Sequence, residues 1–250
     1  MSRTAQNIRR KRRKAPFRKL LGFFLVVSIL IFGVSVFFRI NDFRIEGDIR
    51  YTPQQIMEAS GLQFGNHLLL IDEQAAVARI QSQLPYVGQV QITRQFPSRI
   101  VIWVEEATPV ARTVSTYGVI ILDNMGRILE VMETMPDIHL ISVIGLYPVE
   151  TPVAGQALNL GEEGEYQAEY LREILKAFYD RNLFSQIQSL DMADVLNPIF
   201  DLANRFTVHL GPNRNFTHKM YMLVEIYANI DPRDSGLIDL NPDNPIFRLE

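Results

Sequence analysis

Nineteen consecutive positions near the start, residues 20–38 (LLGFFLVVSILIFGVSVFF), carry no charge and no polar stripe. At 1.5 Å rise per residue such a helix is about 28 Å long, close to the hydrocarbon thickness of a bilayer. The pattern predicts an uncleaved transmembrane helix. A secretory leader has an apolar core of about 7–15 residues ending in a small-x-small site. The candidate here, Gly33-Val34-Ser35, lies well inside the run. A buried helix of a soluble domain would show a polar face, which this one lacks. Only Arg39-Ile40-Asn41-Asp42 separates the run from the next apolar segment. Four residues reach about 14 Å at full extension, so whatever folds next must sit against the membrane face.

Past that point the periodicity changes. Phe43-Arg44-Ile45-Glu46 alternates as a half-buried strand does. Thr52-Pro53-Gln54-Gln55 has a Thr cap, Pro at the first helical position and Gln three residues after the cap, which predicts a helix running to Gly61. Asp72 caps a second helix with Val77, Ile80 and Leu84 on one stripe, ended by Pro85. Val90 and Ile92 mark a strand, Phe96-Pro97-Ser98 a turn, and residues 99–106 a returning strand with Ile100, Ile102 and Val104 on one face. The order β-α-α-β-β over 43–106 is a complete small α+β unit, its two helices covering one sheet face. Trp103, on the second face of the returning strand, is expected to pack against a neighbouring element.

Thr108-Pro109 marks an expected boundary. Beyond it, 119–122 and 127–131 read as a hairpin around Asp123-Asn124-Met125-Gly126. Residues 136–164 are rich in Pro and Gly and predict only strand fragments and loops. Amphipathic helices are expected at 165–182 (Leu171, Ile174, Leu175, Phe178) and 213–230 (Phe216, Met220, Leu223, Tyr227). Between and after them lie predicted strands at 187–192, 199–202, 205–210 and 236–240, then a Pro-containing tail. The fold class is α+β: a basic tail (1–19), a single transmembrane helix (20–38), the β-α-α-β-β unit (40–108) and a mixed β-rich domain with two amphipathic helices (109–250).

Charge sets the orientation. Nine of the 25 basic residues fall in the first 19 positions, and none of the 28 acidic ones do. The formal net charge of −3 therefore conceals a basic tip on an acidic body. Positive charge on the N-terminal flank keeps that end cytoplasmic and the body extracytoplasmic. Arg9, Arg10, Lys11, Arg12, Arg13 and Lys14 are the candidate membrane-surface residues, drawn to anionic headgroups. The same cluster would neutralise nucleic-acid phosphates, but aromatic interleaving is absent and the membrane is adjacent. No nucleic acid is expected. The chain has no cysteine, so the body must hold together by burial alone.

Candidate chemistry is sparse. His67, His139, His209 and His218 show no H-x-x-x-H or H-E-x-x-H spacing and read as solvated surface groups. Glu105 and Glu106 are adjacent on a strand and point to opposite faces, so they cannot share a substrate. Asp191 and Asp194 follow a strand without a partner pattern. Gly161-Glu162-Glu163-Gly164 is acidic and would repel phosphate. The expectation is a protein that is not an enzyme, with no cofactor, metal or small-molecule substrate.

The ordered parts resemble the FtsQ/DivIB family of bacterial cell-division proteins. The basic tail and anchor are followed at once by a unit similar to a POTRA domain. Within it, VGQVQITRQFPSRIVIWVEEATPVA (Val87 to Ala111) is similar to the family's strand, Phe-Pro, strand, Glu-x-x-Pro-Val-Ala segment. The Asp123 to Gly126 hairpin, the strand 205–211 with its following helix, and Ile230-Asp231-Pro232-Arg233-Asp234-Ser235-Gly236 before a terminal strand also match. Some members carry an aromatic residue directly after that Arg; here Arg233 is followed by Asp234. The resemblance implies a divisome scaffold at the division septum of the cell membrane. It implies two bitopic partners, of the FtsB/DivIC and FtsL types, bound outside the membrane. β-Strand addition at strand 236–240, expected to leave an unpaired edge, makes Arg233, Leu237, Ile238 and Leu240 the candidate partner-binding residues. Two other classes were weighed. A POTRA-containing transport component needs many ten-residue alternating strands after the unit, and two amphipathic helices stand there instead. An envelope hydrolase needs a catalytic constellation that the motifs do not supply.

Overall fold

The computed structural model describes residues 15–48, 50–212, 215–240 and 246–249. The apolar run is part of helix α1 (Ala15–Phe37), whose window Leu20–Phe37 buries none of its residues against the rest of the chain. An apolar window that no described residue buries is what a membrane span presents.

The first folded unit is a three-stranded sheet of β1 (Asp42–Glu46), β2 (Val87–Gln95) and β3 (Arg99–Glu106) in the order β1-β3-β2. β1 runs parallel to β3 and β2 antiparallel. The crossover that parallel pairing requires is supplied by α2 (Pro53–Ser60) and α3 (Glu73–Gln83). Local chemistry fixes both helices. Thr52 Oγ1 accepts from Gln55 N at 3.3 Å while Thr52 N donates to Gln55 Oε1 at 2.8 Å, and Gly61 closes α2 at φ 67°. Asp72 Oδ1 accepts from Ala75 N at 3.0 Å to open α3. Ile56, Ala76 and Ile80 from the helices meet Ile92, Ile100, Ile102 and Val104 of the sheet in one core. On the opposite sheet face Val101 is buried and Trp103 is not. Trp103 lies on it and is 39% exposed, contrary to the packed position its size suggests, because no element of this unit covers that face.

Two residues, Ala107 and Thr108, separate β3 from β4 (Pro109–Ser115), which opens a second sheet of nine strands. Pro109 stands at the first strand position, where a missing N–H costs no ladder bond. The sheet continues with β5 (Gly118–Asp123), β6 (Ile128–Met132), β7 (Ile141–Ile144), β8 (Ile187–Asp191), β9 (Ile199–Leu202), β10 (Phe206–His209), β11 (Gly236–Asp239) and β12 (Ile246–Leu249). Their spatial order is β12-β11-β10-β9-β8-β7-β4-β5-β6. Three pairings are parallel, β4 with β7, β7 with β8 and β10 with β11, and these merge the hairpins into one surface. Helices α4 (Gly161–Asp180) and α5 (Phe216–Ala228) lie on one face. Leu171, Ile174, Leu175 and Phe178 of α4, with Met220 and Leu223 of α5, close over Ile120, Leu122, Val143, Leu190, Phe200, Phe206 and Val208. Phe178 and Phe200 meet edge to face at 5.0 Å.

The β5–β6 hairpin joins the two sheets. Asp123, 1% exposed, accepts from Met125 N at 2.8 Å, Arg127 N at 2.9 Å and Arg127 Nε at 2.9 Å. The hairpin's turn is thereby locked. Arg127 then donates to Val87 O at 2.8 Å, and Tyr86 Oη donates to Glu130 Oε1 at 2.7 Å. Tyr86 also packs against a small second core on this side, with Val119, Ile121, Leu129 and Leu140. Burial, then the Glu130 bond, pushes the Tyr86 phenol up to about 12. A raised folded-state value means that its contribution is complete below the ordinary pKa near 10 and lost as pH climbs through 12. Tyr86→Phe should cost about 0.5–1.5 kcal/mol at pH 7. The variant should also lose stability less steeply than the parent between pH 10 and 12, as read by chemical unfolding at each pH.

Candidate partner-binding edge

At the C-terminal end of the large sheet, β11 lies parallel to β10, with Phe206 opposite Gly236 and Val208 opposite Ile238. Parallel pairing demands a crossover, and α5 with the loop after it provides one. Arg205 organises that loop. Its Nε donates to Asp234 O at 3.0 Å and its Nη2 to Asp231 O at 2.8 Å and Asp234 O at 2.6 Å. The same guanidinium sits over the rings of Phe206 at 4.9 Å and Tyr227 at 5.8 Å. Gly236 N donates to Arg205 O at 3.0 Å, and Leu240 N to His209 O at 2.9 Å. Beneath β11, Lys219 is buried and its ammonium donates to Leu210 O. Burial lowers its pKa, against the raising effect of Asp239.

This geometry corrects the expectation of an unpaired edge at 236–240. β11 is flanked on its outer side by β12, antiparallel, with Leu237 opposite Arg248 and Ile238 opposite Phe247. The reason is local. A strand at a sheet end presents a row of unsatisfied N–H and C=O groups, and the chain's own tail satisfies them first. The sheet edge among the described residues is therefore β12. The four candidate residues separate accordingly. Ile238 and Leu240 are 0% and 1% exposed and belong to the core beneath α5. Leu237 is half-buried on the other face, next to exposed Thr207 and Arg248. Arg233, 89% exposed, folds back on Asp231 in a two-point contact at 3.1 Å and 3.1 Å. Those bonds hold the Asp231 carboxyl below its ordinary value. At Asp234, where some family members have an aromatic ring, the backbone carbonyl is what Arg205 grips. The candidate membrane-surface residues Arg9, Arg10, Lys11, Arg12, Arg13 and Lys14 lie outside the described residues.

β12 was missed because it reads as a tail. The available signal was Ile246-Phe247 after Asn241-Pro242-Asp243-Asn244-Pro245, two strand formers behind a cluster of turn formers. Two of the other edges, β6 and β2, are interrupted. At β6, Ile128 N donates to Gln156 O at 2.9 Å and Ile128 O accepts from Gly155 N at 2.7 Å. At β2, a bulge between Val87 and Val90, Gln81 bonded to Gly88 O and Arg94 paired with Glu73 interrupt the strand.

The groups weighed for chemistry are dispersed. His139 Nε2 meets Phe184 O at 3.1 Å, and His209 Nδ1 lies 3.5 Å from Asn197. Glu106 pairs with Arg50 at 2.7 Å, while Asp191 and Asp194 accept from the backbone N–H groups of Ala193 and Leu196. Among the described residues no three His, Cys, Asp or Glu side chains gather as a metal site would require.

Residues 38–107, the β1-α2-α3-β2-β3 unit, match the model of the FtsQ-type POTRA domain. Over 97% of its length the chain is 22% identical to the cell division protein DivIB of Clostridium botulinum, covering 94% of that protein. It is also 22% identical, along its whole length, to the cell division protein FtsQ of Syntrophotalea carbinolica, covering 92% of it. Along nearly its whole length the chain is similar to FtsQ/DivIB cell division proteins. A shorter stretch, 92 residues, is 32% identical to FtsQ of Anaeromyxobacter sp., spanning 37% of this chain and 31% of that one. The coverage shows that the likeness to FtsQ/DivIB proteins extends past the POTRA unit into the large sheet.

The placement of Ile238 makes a direct test of the register. Ile238→Ala should lower stability by about 2–5 kcal/mol, the cost of emptying a core position, in denaturant unfolding of the detergent-solubilised chain. A cost near zero would mean that β11 does not lie as described.

Proposed function

We propose that this chain is a non-catalytic scaffold of the division machinery, anchored in the cell membrane by α1 with its basic tail in the cytoplasm and its sheets outside. It holds bitopic division proteins of the FtsB/DivIC and FtsL types at the septum. The observation that carries the binding mode is the C-terminal edge: a four-residue antiparallel strand, β12, at the end of a nine-stranded sheet. An added strand satisfies the outward N–H and C=O groups, and alternate side chains read the partner. The relatives named as cell division proteins support the division role, and the unburied α1 supports the anchor. Arg248, exposed on β12, and Leu237 opposite it supply one charged and one apolar contact on the same face. Arg233 lies at the entrance to β11, so its surface belongs to the same end of the sheet.

Removing residues 246–250 deletes the β12 edge and uncovers the outer side of β11, while Ile238 and Leu240 stay in the chain. We expect the truncated chain to remain folded and to lose at least tenfold in affinity for the partner ectodomain, measured by titration in detergent. Undiminished binding would exclude the β12 edge. Loss of the cooperative unfolding transition would instead show that β12 is structural, and the charge reversal Arg248→Glu would then carry the measurement.

A further inference from the structure

The exit of α1 is unusual in having no free linker. Phe38 O accepts from Leu68 N at 2.7 Å, Ile40 N donates to Asn66 O at 2.9 Å, and Asn41 N donates to Ser98 O at 2.9 Å. Arg39 bridges to His67. Two loops of the POTRA unit, the one after α2 and the β2–β3 turn, are thus bonded directly to the end of the helix. Both loops turn large apolar side chains outward. Leu70 is 80% exposed, Phe96 61% and Leu69 42%. The Phe96 ring stands edge-on to Phe38 at 5.8 Å, and Phe37, Phe38, Leu69, Phe96 and Pro97 line one shallow, almost wholly apolar concavity. Loop tips are ordinarily polar, so a contiguous apolar surface there marks an interaction site.

The geometry points to a lipid-docking collar: Leu69, Leu70, Phe96 and Pro97 enter the interfacial layer of the bilayer and seat the POTRA unit on the membrane surface. This rests on the reading of α1 as a membrane span. The occupant follows from continuity. The wholly unburied apolar window of α1 ends at Phe37, and the collar is hydrogen-bonded to the next residues, 38–41. With at most about 3.6 Å of chain per residue, those contacts stay at headgroup depth. The polar groups around the collar suit that depth as well: Arg39 folds its guanidinium back to Ser35 O at 3.3 Å, as a cation near a helix end does, and Asp42 pairs with Arg99. Seated in this way, the ectodomain keeps a set tilt on the membrane, which fixes the direction in which the far sheet edge is presented.

The chain has no cysteine, so single-cysteine variants can carry a nitroxide at chosen sites. Labels at Leu70, Phe96, Val26 within α1 and Tyr147, an exposed position of the large sheet unit, are read by accessibility to oxygen and to a water-soluble nickel chelate. The full chain alone is reconstituted in phosphatidylcholine–phosphatidylglycerol nanodiscs. Labels at 26, 70 and 96 should favour oxygen at least threefold over the label at 147. Adding Phe96→Asp should shift position 70 towards the aqueous value and leave 26 unchanged. If 26 reads as lipid while 70 and 96 match 147, the collar faces water or awaits a protein, and the proposal fails with the anchor intact. If 26 itself reads as aqueous, the anchor is wrong and the collar falls with it.

Discussion

Backbone pairing at the helix exit constrains everything after it. An apolar helix that none of the described residues buries has its end hydrogen-bonded, through Phe38, Ile40 and Asn41, into two loops of the first sheet. A flexible tether would let the ectodomain rotate freely. Here the first strand begins at Asp42, five residues past α1, and pairs in parallel with β3 at the centre of its sheet. The position of the helix and that of the POTRA unit are therefore a single geometric statement.

The constraint passes onward because the second junction is also short. Two residues lead from β3 into β4, and the β5–β6 hairpin reaches back to bond Val87 O through Arg127 and Tyr86 through Glu130. Hydrogen bonds to charged groups are among the stronger ones, and a half-buried site raises their weight. On the proposed seating, an orientation set at the membrane reaches the large sheet, whose nine strands carry it to the opposite end. An extended sheet suits that task. Its ladder resists bending in the plane, and the helices α4 and α5 fill one face with a single continuous core.

At that far end, core packing and the proposed strand addition make opposite demands on the same strands. β11 must be buried to close the core, since Ile238 and Leu240 complete the layer beneath α5. A partner strand needs accessible backbone. Under the proposed strand addition the two roles fall to neighbours, with β11 in the core and a short β12 outside it. Arg205 holds the loop between α5 and β11 by its carbonyl oxygens, so the support does not depend on the side chains of Arg233 and Asp234.

Much of this was legible in the chain itself wherever the signal is local. The apolar run, the Thr52–Gln55 capping box, the Asp72 cap, the alternation in β1 to β3, the stripes of α4 and α5 and the Asp123 turn each depend on residues a few positions apart. The FtsQ-type arrangement of these parts could be read from their order. The edge could not. Whether 236–240 is outermost depends on where residues 246–249 pair, and whether Trp103 is exposed depends on what the assembled chain places over its sheet face. β7 hid for the same reason, since its pairings with β4 and β8 are both parallel and those partners stand far off in sequence. A strand's own pattern states which face is apolar; only the assembled sheet decides which of its two edges remains unpaired, because that is a property of its neighbours.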